Sequence, residues 1–309
     1  LSFIVDQIMS IELKNLVKIY GTQKAVDDIS FTLQKGEIVG FLGPNGAGKS
    51  TTFKMITGYM QPDNGEALVC GLNVAENPLA IRQKIGYLPE SNALYYDMFV
   101  REYISFIAGV HKLANTKKSI DHVIEITGLS TESKKKIGQL SKGYKQRVGI
   151  AAALVHHPEV LILDEPTSGL DPNQIIEIRN LIKDQGKDKT VLFSSHVLQE
   201  VQAICDRIII IHHGKIVADN SLETLDTLTN HKRVKIAFEE KLNKDIFKEI
   251  PGLLEIRQIN VHQWLLLAED ATLLRKHLLE LSVQQNLNIQ SLELESGNLE
   301  EIFRELTTQ

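Results

Sequence analysis

Cysteine, long apolar runs and surplus basic charge are all scarce in this chain, and each scarcity removes a class of protein. The two cysteines, Cys70 and Cys205, lie far apart and in no Cys-x-x-Cys pair. A disulfide scaffold or structural zinc site is therefore not expected, and two thiols in a reducing compartment is the plain reading. No stretch approaches the roughly 20 apolar residues of a membrane-spanning helix. The most apolar run, Ile208-Ile209-Ile210-Ile211, is followed at once by His212 and His213 and reads as a strand. The net charge of −5 argues against a nucleic-acid-binding surface, so no nucleic-acid partner is expected. Leu1 to Ile8 has no basic segment of the signal-peptide kind, and Met9 onward reads as the natural beginning. Internal repeats and low-complexity segments are missing.

What remains is a chain of 309 residues, long enough for two unequal domains that need no disulfides. Ser10 to Leu16 and Ile29 to Leu33 alternate apolar and polar, as half-buried strands do. Glu37 to Leu42, Val160 to Leu163 and Thr190 to Phe193 are mostly apolar runs, expected of strands buried on both faces. Lys49 to Gly58 reads as a helix closed by its glycine. Residues 97–157 are mostly helical, with Lys134-Lys135-Lys136 on a solvated connection. Asp171-Pro172 opens a helix with an N-cap and a proline at its first position, Ile175, Ile178, Leu181 and Ile182 form its apolar face, and Gly186 ends it. Arg207 to Ala218 reads as a hairpin turning at His213-Gly214. Near Leu228 the pattern changes. Val234–Phe238, Leu254–Ile259, Trp264–Leu267 and Ile289–Leu294 read as strands, Leu273–Leu287 and Leu299–Leu306 as helices, and Trp264 as core. The division is thus residues 1–228, with a helical part at about 91–157, and a small α+β domain at 229–309.

Between the strand ending at Leu42 and the helix starting at Lys49 lies Gly43-Pro44-Asn45-Gly46-Ala47-Gly48-Lys49-Ser50, followed by Thr51. It satisfies G-x-x-x-x-G-K-[ST] in the strand–loop–helix setting that motif requires. The glycines let backbone N–H groups converge on phosphate oxygens, and the helix N-terminus favours the anion. Lys49 is placed for the β- and γ-phosphates and Ser50 for Mg²⁺, so ATP and Mg²⁺ are the expected ligands. Leu161-Ile162-Leu163-Asp164-Glu165 delivers two acids to a strand's C-terminal end, where open α/β sheets bind ligands. Asp164 is expected to hold Mg²⁺ and Glu165 to take a proton from the attacking water. His196, after the strand ending near Ser194-Ser195, is expected at the γ-phosphate. His156-His157 are expected to cap the preceding helix at its C-terminus as cations.

The segment Leu140-Ser141-Lys142-Gly143-Tyr144-Lys145-Gln146-Arg147 resembles the LSGGQ signature of ABC ATPases. Ser168-Gly169-Leu170-Asp171 resembles their D-loop, and Tyr20 their adenine-stacking aromatic. The resemblance covers residues 9 to about 228. Ile85-Gly86-Tyr87-Leu88-Pro89-Glu90 and the terminal Asn298–Leu306 look like exporter-type (ABC-2) ATPases, and closest to the ATP-binding subunits associated with bacterial gliding motility. The resemblance implies an α/β P-loop fold and ATP sandwiched between two subunits. The loop of one subunit would face Ser141 and Gly143 of the other, with Asp171 at the same interface. It also implies an integral membrane permease partner, contacted through Asn92-Ala93-Leu94-Tyr95-Tyr96-Asp97, and a place on the cytoplasmic face of the cell membrane. Three positions depart from the family pattern. Glu90 replaces a glutamine that offers an oxygen to Mg²⁺, Lys142 replaces the first signature glycine, and Tyr144 replaces its glutamine. The competing reading is a soluble ABC ATPase working on nucleic acid or an assembly scaffold, whose usual paired domains, coiled coils or basic face are not evident here.

Overall fold

The computed structural model describes residues 9–222, 224, 233–294 and 303. The chain forms two compact units, residues 1–219 and 220–309. The change of pattern at Leu228 and the helix expected at Leu299–Leu306, apart from Phe303, fall outside the described residues.

Three layers build the first unit. Strands β1 (Met9–Tyr20), β2 (Gln23–Gln34), β4 (Asn64–Val69) and β5 (Leu72–Asn73) form an antiparallel sheet in the order β2-β1-β4-β5. A second sheet runs β10 (Lys215–Ser221), β9 (Arg207–His212), β3 (Ile38–Leu42), β8 (Thr190–Ser195), β7 (Val160–Leu163), β6 (Ile85–Leu88). From β9 to β6 its neighbours are parallel. Strands β3, β7 and β8 are buried along their whole length, which is why they lack alternation. Helix α1 (Lys49–Ile56) lies in the core between the two sheets. Its Phe53 ring packs 5.7 Å from Phe41 of β3, which in turn lies 5.7 Å from Phe31 of β2. Gly58 ends the turn after α1 with φ of 68°. Helix α2 (Pro78–Lys84) feeds β6.

The helical part consists of α3 (Val100–Val110), α4 (Thr116–Ile126) and α5 (Lys142–Leu154), which pack on one another, and α5 also lies on β6. Lys134, Lys135 and Lys136 are exposed there, as expected. Helix α6 (Pro172–Gly186) starts at the Asp171 cap and buries Ile178, Leu181 and Ile182, while Ile175 is half-buried. The short α7 (Leu198–Gln202) packs over Gly40 of β3, where any added Cβ would collide with Val201.

The second unit is an antiparallel sheet in the order β12 (Leu253–Gln258), β13 (Gln263–Ala268), β11 (Arg233–Phe238), β14 (Ile289–Leu294). Helix α8 (Ala271–Gln284) covers it, capped by Asp270. Trp264 is buried in its core, 5.1 Å from Phe247. In the strand order this is a 2-3-1-4 arrangement.

Candidate functional site

Four neighbouring parallel strands end on the same edge of the second sheet: β3 at the glycine loop, β7 at Asp164, β8 at Ser194–His196 and β6 just before Glu90. The C-terminal ends of parallel strands are where such sheets place ligands. A cavity of about 300 Å³ opens there, lined by Ala25, Pro44, Asn45, Gly46, Gly48, Lys49, Ser50, Thr51, Glu90 and Glu165.

The loop holds its shape by using only part of its backbone. Gly43 N–H donates to Ser195 O at 3.4 Å, Ala47 N–H to Pro44 O at 3.2 Å, and Ala47 O accepts from Gly214 at 2.9 Å. The N–H groups of Gly46, Gly48 and Lys49 have no acceptor among the described residues. They surround the N-terminus of α1, so the loop offers a ready nest for an anion. Gly48 has φ of 112°, and an added Cβ would collide with Ala25 O. No other residue fits there.

Lys49 is buried. Its Nζ donates to Gly43 O at 2.6 Å and Pro44 O at 3.3 Å, and stands 3.3 Å from Glu165 Oε1. That last pair is charge proximity only, since Glu165 Oε1 has no aligned hydrogen-bond donor. The other oxygen, Glu165 Oε2, is 2.7 Å from His196 Nδ1. Glu165 thus sits buried between a cation and an imidazole, on a left-handed backbone with φ of 50°. Such strain in a non-glycine residue persists only where the surroundings enforce it. Here Ser194 enforces it. Its Oγ donates to Asp164 Oδ1 at 2.6 Å and accepts from Glu165 N–H at 2.9 Å. Asp164, 1% exposed, is thereby fixed at the strand end.

Chemically, a buried carboxylate with one oxygen that receives no hydrogen bond, beside an anion nest, suits deprotonation of a water attacking a phosphate. Ser50, Glu90 and Asp164 bring one hydroxyl and two acids to the loop side of the site. Among the described residues no three His, Cys, Asp or Glu side chains converge on a metal position. A hydroxyl and two carboxylates are hard oxygen donors of the kind that suits Mg²⁺.

The remaining expected residues lie apart from this cavity. Ser141 is the N-cap of α5, its Oγ accepting from Tyr144 N–H at 3.4 Å. Gly143 is buried against the Gln174 side chain, and Lys142 lies over Gly169, so signature and D-loop pack on each other. Asp171 Oδ1 caps α6 by accepting from Gln174 N–H at 3.0 Å. Tyr20 is 48% exposed at the β1–β2 turn, its hydroxyl 3.0 Å from Met60 Sδ. None of these side chains lines the phosphate-loop cavity.

One expectation is overturned. His156 and His157 are not cationic caps of α5, which ends at Leu154. His156 Nε2 is 3.0 Å from Ile85 O, and its ring stacks on His111 at 3.8 Å. Burial, followed by the charge of His111, pushes its pKa down to about 4, so it is neutral at physiological pH. His157 Nε2 pairs with Ser119 Oγ at 3.1 Å. Ser194 and Ser195 belong to the site through their hydrogen bonds and match no motif in the sequence. The Ser-Ser-His sequence at a strand end was the available signal.

A second, larger groove of about 810 Å³ lies on the helical side, lined by Leu79, Tyr87, Asn92, Ala93, Tyr103, Ile107, Val110, His111 and His156 among others. Tyr87 links it to the site. Burial first, then the Asp164 charge, pushes its phenol pKa up. Tyr95, exposed beside the groove, stacks edge-on to Tyr103 and Phe106 at 6.0 and 5.9 Å.

A parallel sheet carrying a phosphate loop, a strand-end acid pair and a helical insertion defines a P-loop nucleoside triphosphatase. Comparison with known proteins narrows this. The ABC transporter family model matches residues 26–168. The chain is 40% identical to the bacitracin transport ATP-binding protein BcrA of Bacillus licheniformis, over 82% of each chain. It is 35% identical to the linearmycin resistance ATP-binding protein LnrL of Bacillus subtilis, over 96% of this chain and 98% of that one. A solved dimeric ABC cassette in a post-hydrolysis state, bound to ADP and Pi, superposes with a TM-score of 0.64 at 26% identity, covering 69% of this chain and 98% of its own. The chain belongs to the ABC transporter ATP-binding proteins and is an ATP-hydrolysing transporter subunit.

Proposed function

We propose that this subunit hydrolyses ATP at a composite site between two copies, or between this chain and a homologous one. The loop Gly43–Thr51 of one would face Ser141, Gly143 and Asp171 of the other, with Tyr20 against the adenine. The observation that carries this is spatial: the signature and the phosphate loop belong to one chain, yet Ser141 and Gly143 lie outside the cavity that the loop lines. The dimeric cassette that the fold resembles supports the same arrangement.

Within the site, Lys49 and the free N–H groups of the loop hold the β- and γ-phosphates. Glu165 accepts the proton of the attacking water, and His196, hydrogen-bonded to Glu165, orients that carboxylate and meets the γ-phosphate. Mg²⁺, when bound by Ser50, Glu90 and Asp164, neutralises charge on the phosphates. Positioning and electrostatics carry such chemistry, so a lone subunit lacking the facing signature hydrolyses slowly.

The subunit works beneath a separate membrane permease, on the cytoplasmic face of the membrane, with the permease seated in the groove beside Asn92–Asp97. Among the described residues no helix is long and apolar enough to cross a membrane. The transport is export of the drug-resistance kind. LnrL, named for linearmycin resistance, aligns across nearly the whole chain, including the second unit. The gliding-motility role rests on motif wording alone and takes second place. Drug resistance conferred by co-expressing this chain with a membrane permease that co-purifies with it, and lost in Glu165→Gln, tests the export reading.

The catalytic reading has its own test. Purified Glu165→Gln is expected to lose ATPase activity by about a hundredfold or more, to keep ATP affinity, and to dimerise more readily with ATP. Undiminished turnover refutes the base assignment.

A further inference from the structure

The buried carboxylate of Glu200 belongs to neither the nucleotide cavity nor the permease groove, and it sits where the two catalytic loops meet. Glu200 lies on α7, immediately after the loop that carries His196. Its Oε2 accepts two hydroxyl hydrogen bonds, from Thr167 Oγ1 at 2.6 Å and from Ser195 Oγ at 2.8 Å. All three residues are buried, with exposures of 5% or less. Their sequence positions give the arrangement its meaning. Thr167 is two residues after Glu165, inside the turn whose Ser168 N–H donates to Glu165 O at 3.1 Å. Ser195 precedes His196, its Oγ accepts from Val197 N–H at 3.0 Å, and its carbonyl accepts from Gly43 N–H of the phosphate loop at 3.4 Å.

We infer that Glu200 is a positioning residue for hydrolysis, clamping the Glu165 turn, the His196 loop and the start of the phosphate loop into one register. A buried carboxylate that gathers two hydroxyls is retained only where its hydrogen bonds are satisfied. Both donors here come from the segments whose spacing sets the Glu165–His196 contact. Thr167 lies in a loop beyond β7, and Ser195 is the last residue of β8, paired with Leu42. Ser194 ties the two strand ends through Glu165 N–H and Asp164, and Glu200 adds the tie one step further out, where both segments leave the sheet. A displacement of about 1 Å at a reacting group costs on the order of a hundredfold in rate. Nucleotide binding, by contrast, rests on the loop and Lys49, which Glu200 does not touch. The inference depends on the reading of Glu165 and His196 above.

The test compares Glu200→Ala, Glu200→Gln, Thr167→Val and Glu165→Gln in the full chain, measuring kcat, KM, ATP affinity by nucleotide titration, and thermal midpoint. Both hydroxyls use the same oxygen, and an amide oxygen can accept both. Glu200→Gln is therefore expected to keep kcat within about threefold of wild type, and Glu200→Ala to lower it by about tenfold to a hundredfold with ATP affinity within about twofold. Rates are expressed per ATP-binding-competent site, so partial unfolding of the alanine variant does not imitate the effect. Thr167→Val, nearly isosteric, is expected to lower kcat in the same sense, with no further loss when combined with Glu200→Ala. Unchanged kcat in Glu200→Ala, a parallel fall in ATP affinity, or a Glu200→Gln variant as slow as the alanine one overturns the clamp. If Glu165→Gln retains full turnover, the catalytic reading itself has failed, independently of Glu200.

Discussion

Removing a single oxygen, in Ser194→Ala, is expected to unsettle both the stability of the first unit and its chemistry. Ser194 is fully buried, and its hydroxyl serves two groups at once. It donates to the Asp164 carboxylate at 2.6 Å and accepts the Glu165 N–H at 2.9 Å. Losing a hydrogen bond to a charged group costs about 1.5–3 kcal/mol, and leaving a buried N–H unpaired costs about 1–3 kcal/mol. The two losses share one site and overlap, so the expected destabilisation is about 3 kcal/mol. For a unit of this size that corresponds to a fall of roughly 6–12 °C in thermal midpoint. The left-handed backbone at Glu165, with φ of 50°, loses the bond that holds it. The carboxylate then relaxes away from His196, and kcat falls by at least about tenfold beyond the loss of folded protein. Urea unfolding followed by circular dichroism, with ATP turnover measured per folded molecule, checks both parts. Ser133→Ala is the control: its hydroxyl bonds only to Ser130 O at the surface, and the expected change is within about 0.5 kcal/mol. A Ser194→Ala loss of less than about 1 kcal/mol with unchanged turnover per folded molecule refutes the reasoning.

Two further outcomes follow from the same geometry. Gly48→Ala is expected to abolish ATP binding, measured by nucleotide titration, because the residue has φ of 112° and the added methyl meets Ala25 O. Acidification is expected to destabilise the first unit through His156, whose folded pKa lies near 4, below its ordinary value. The folded state binds fewer protons than the unfolded one between those values, so stability is fully present above about pH 6.5 and is lost as pH falls towards 4. The loss amounts to up to about 3 kcal/mol, and His156→Gln is expected to flatten that part of the stability–pH curve measured by urea titration.

The sequence alone determined the elements that depend on local chemistry. The glycines and lysine of Gly43–Ser50 announce a phosphate loop because only a few backbone conformations bring N–H groups to a point. The uninterrupted apolar runs of β3, β7 and β8 announce a sheet buried on both faces, and the Asp171-Pro172 pair announces the start of α6. Even the second unit's four strands were legible, three of them from alternation and Trp264–Leu267 from its short apolar run. Strands β4 and β5 were not: Asn64–Val69 exists by pairing with β1 across some fifty residues of chain, and the two-residue Leu72–Asn73 exists only by pairing with β4. The charge of His156 went the wrong way for a related reason: a histidine near a helix end looks like a cap until packing on His111 and Ile85 removes it from water. What only the tertiary structure decided is how the strand ends converge. Glu165, His196 and Lys49 come from three strand ends, and their contacts depend on the order β3-β8-β7. Ser194 and Glu200 gain their roles solely because that order sets them beside Asp164 and Thr167. Hydroxyls and carboxylates carry no periodicity, so sequence pattern does not reveal them, whereas a buried polar atom in a folded core must find a partner, and that requirement makes them visible.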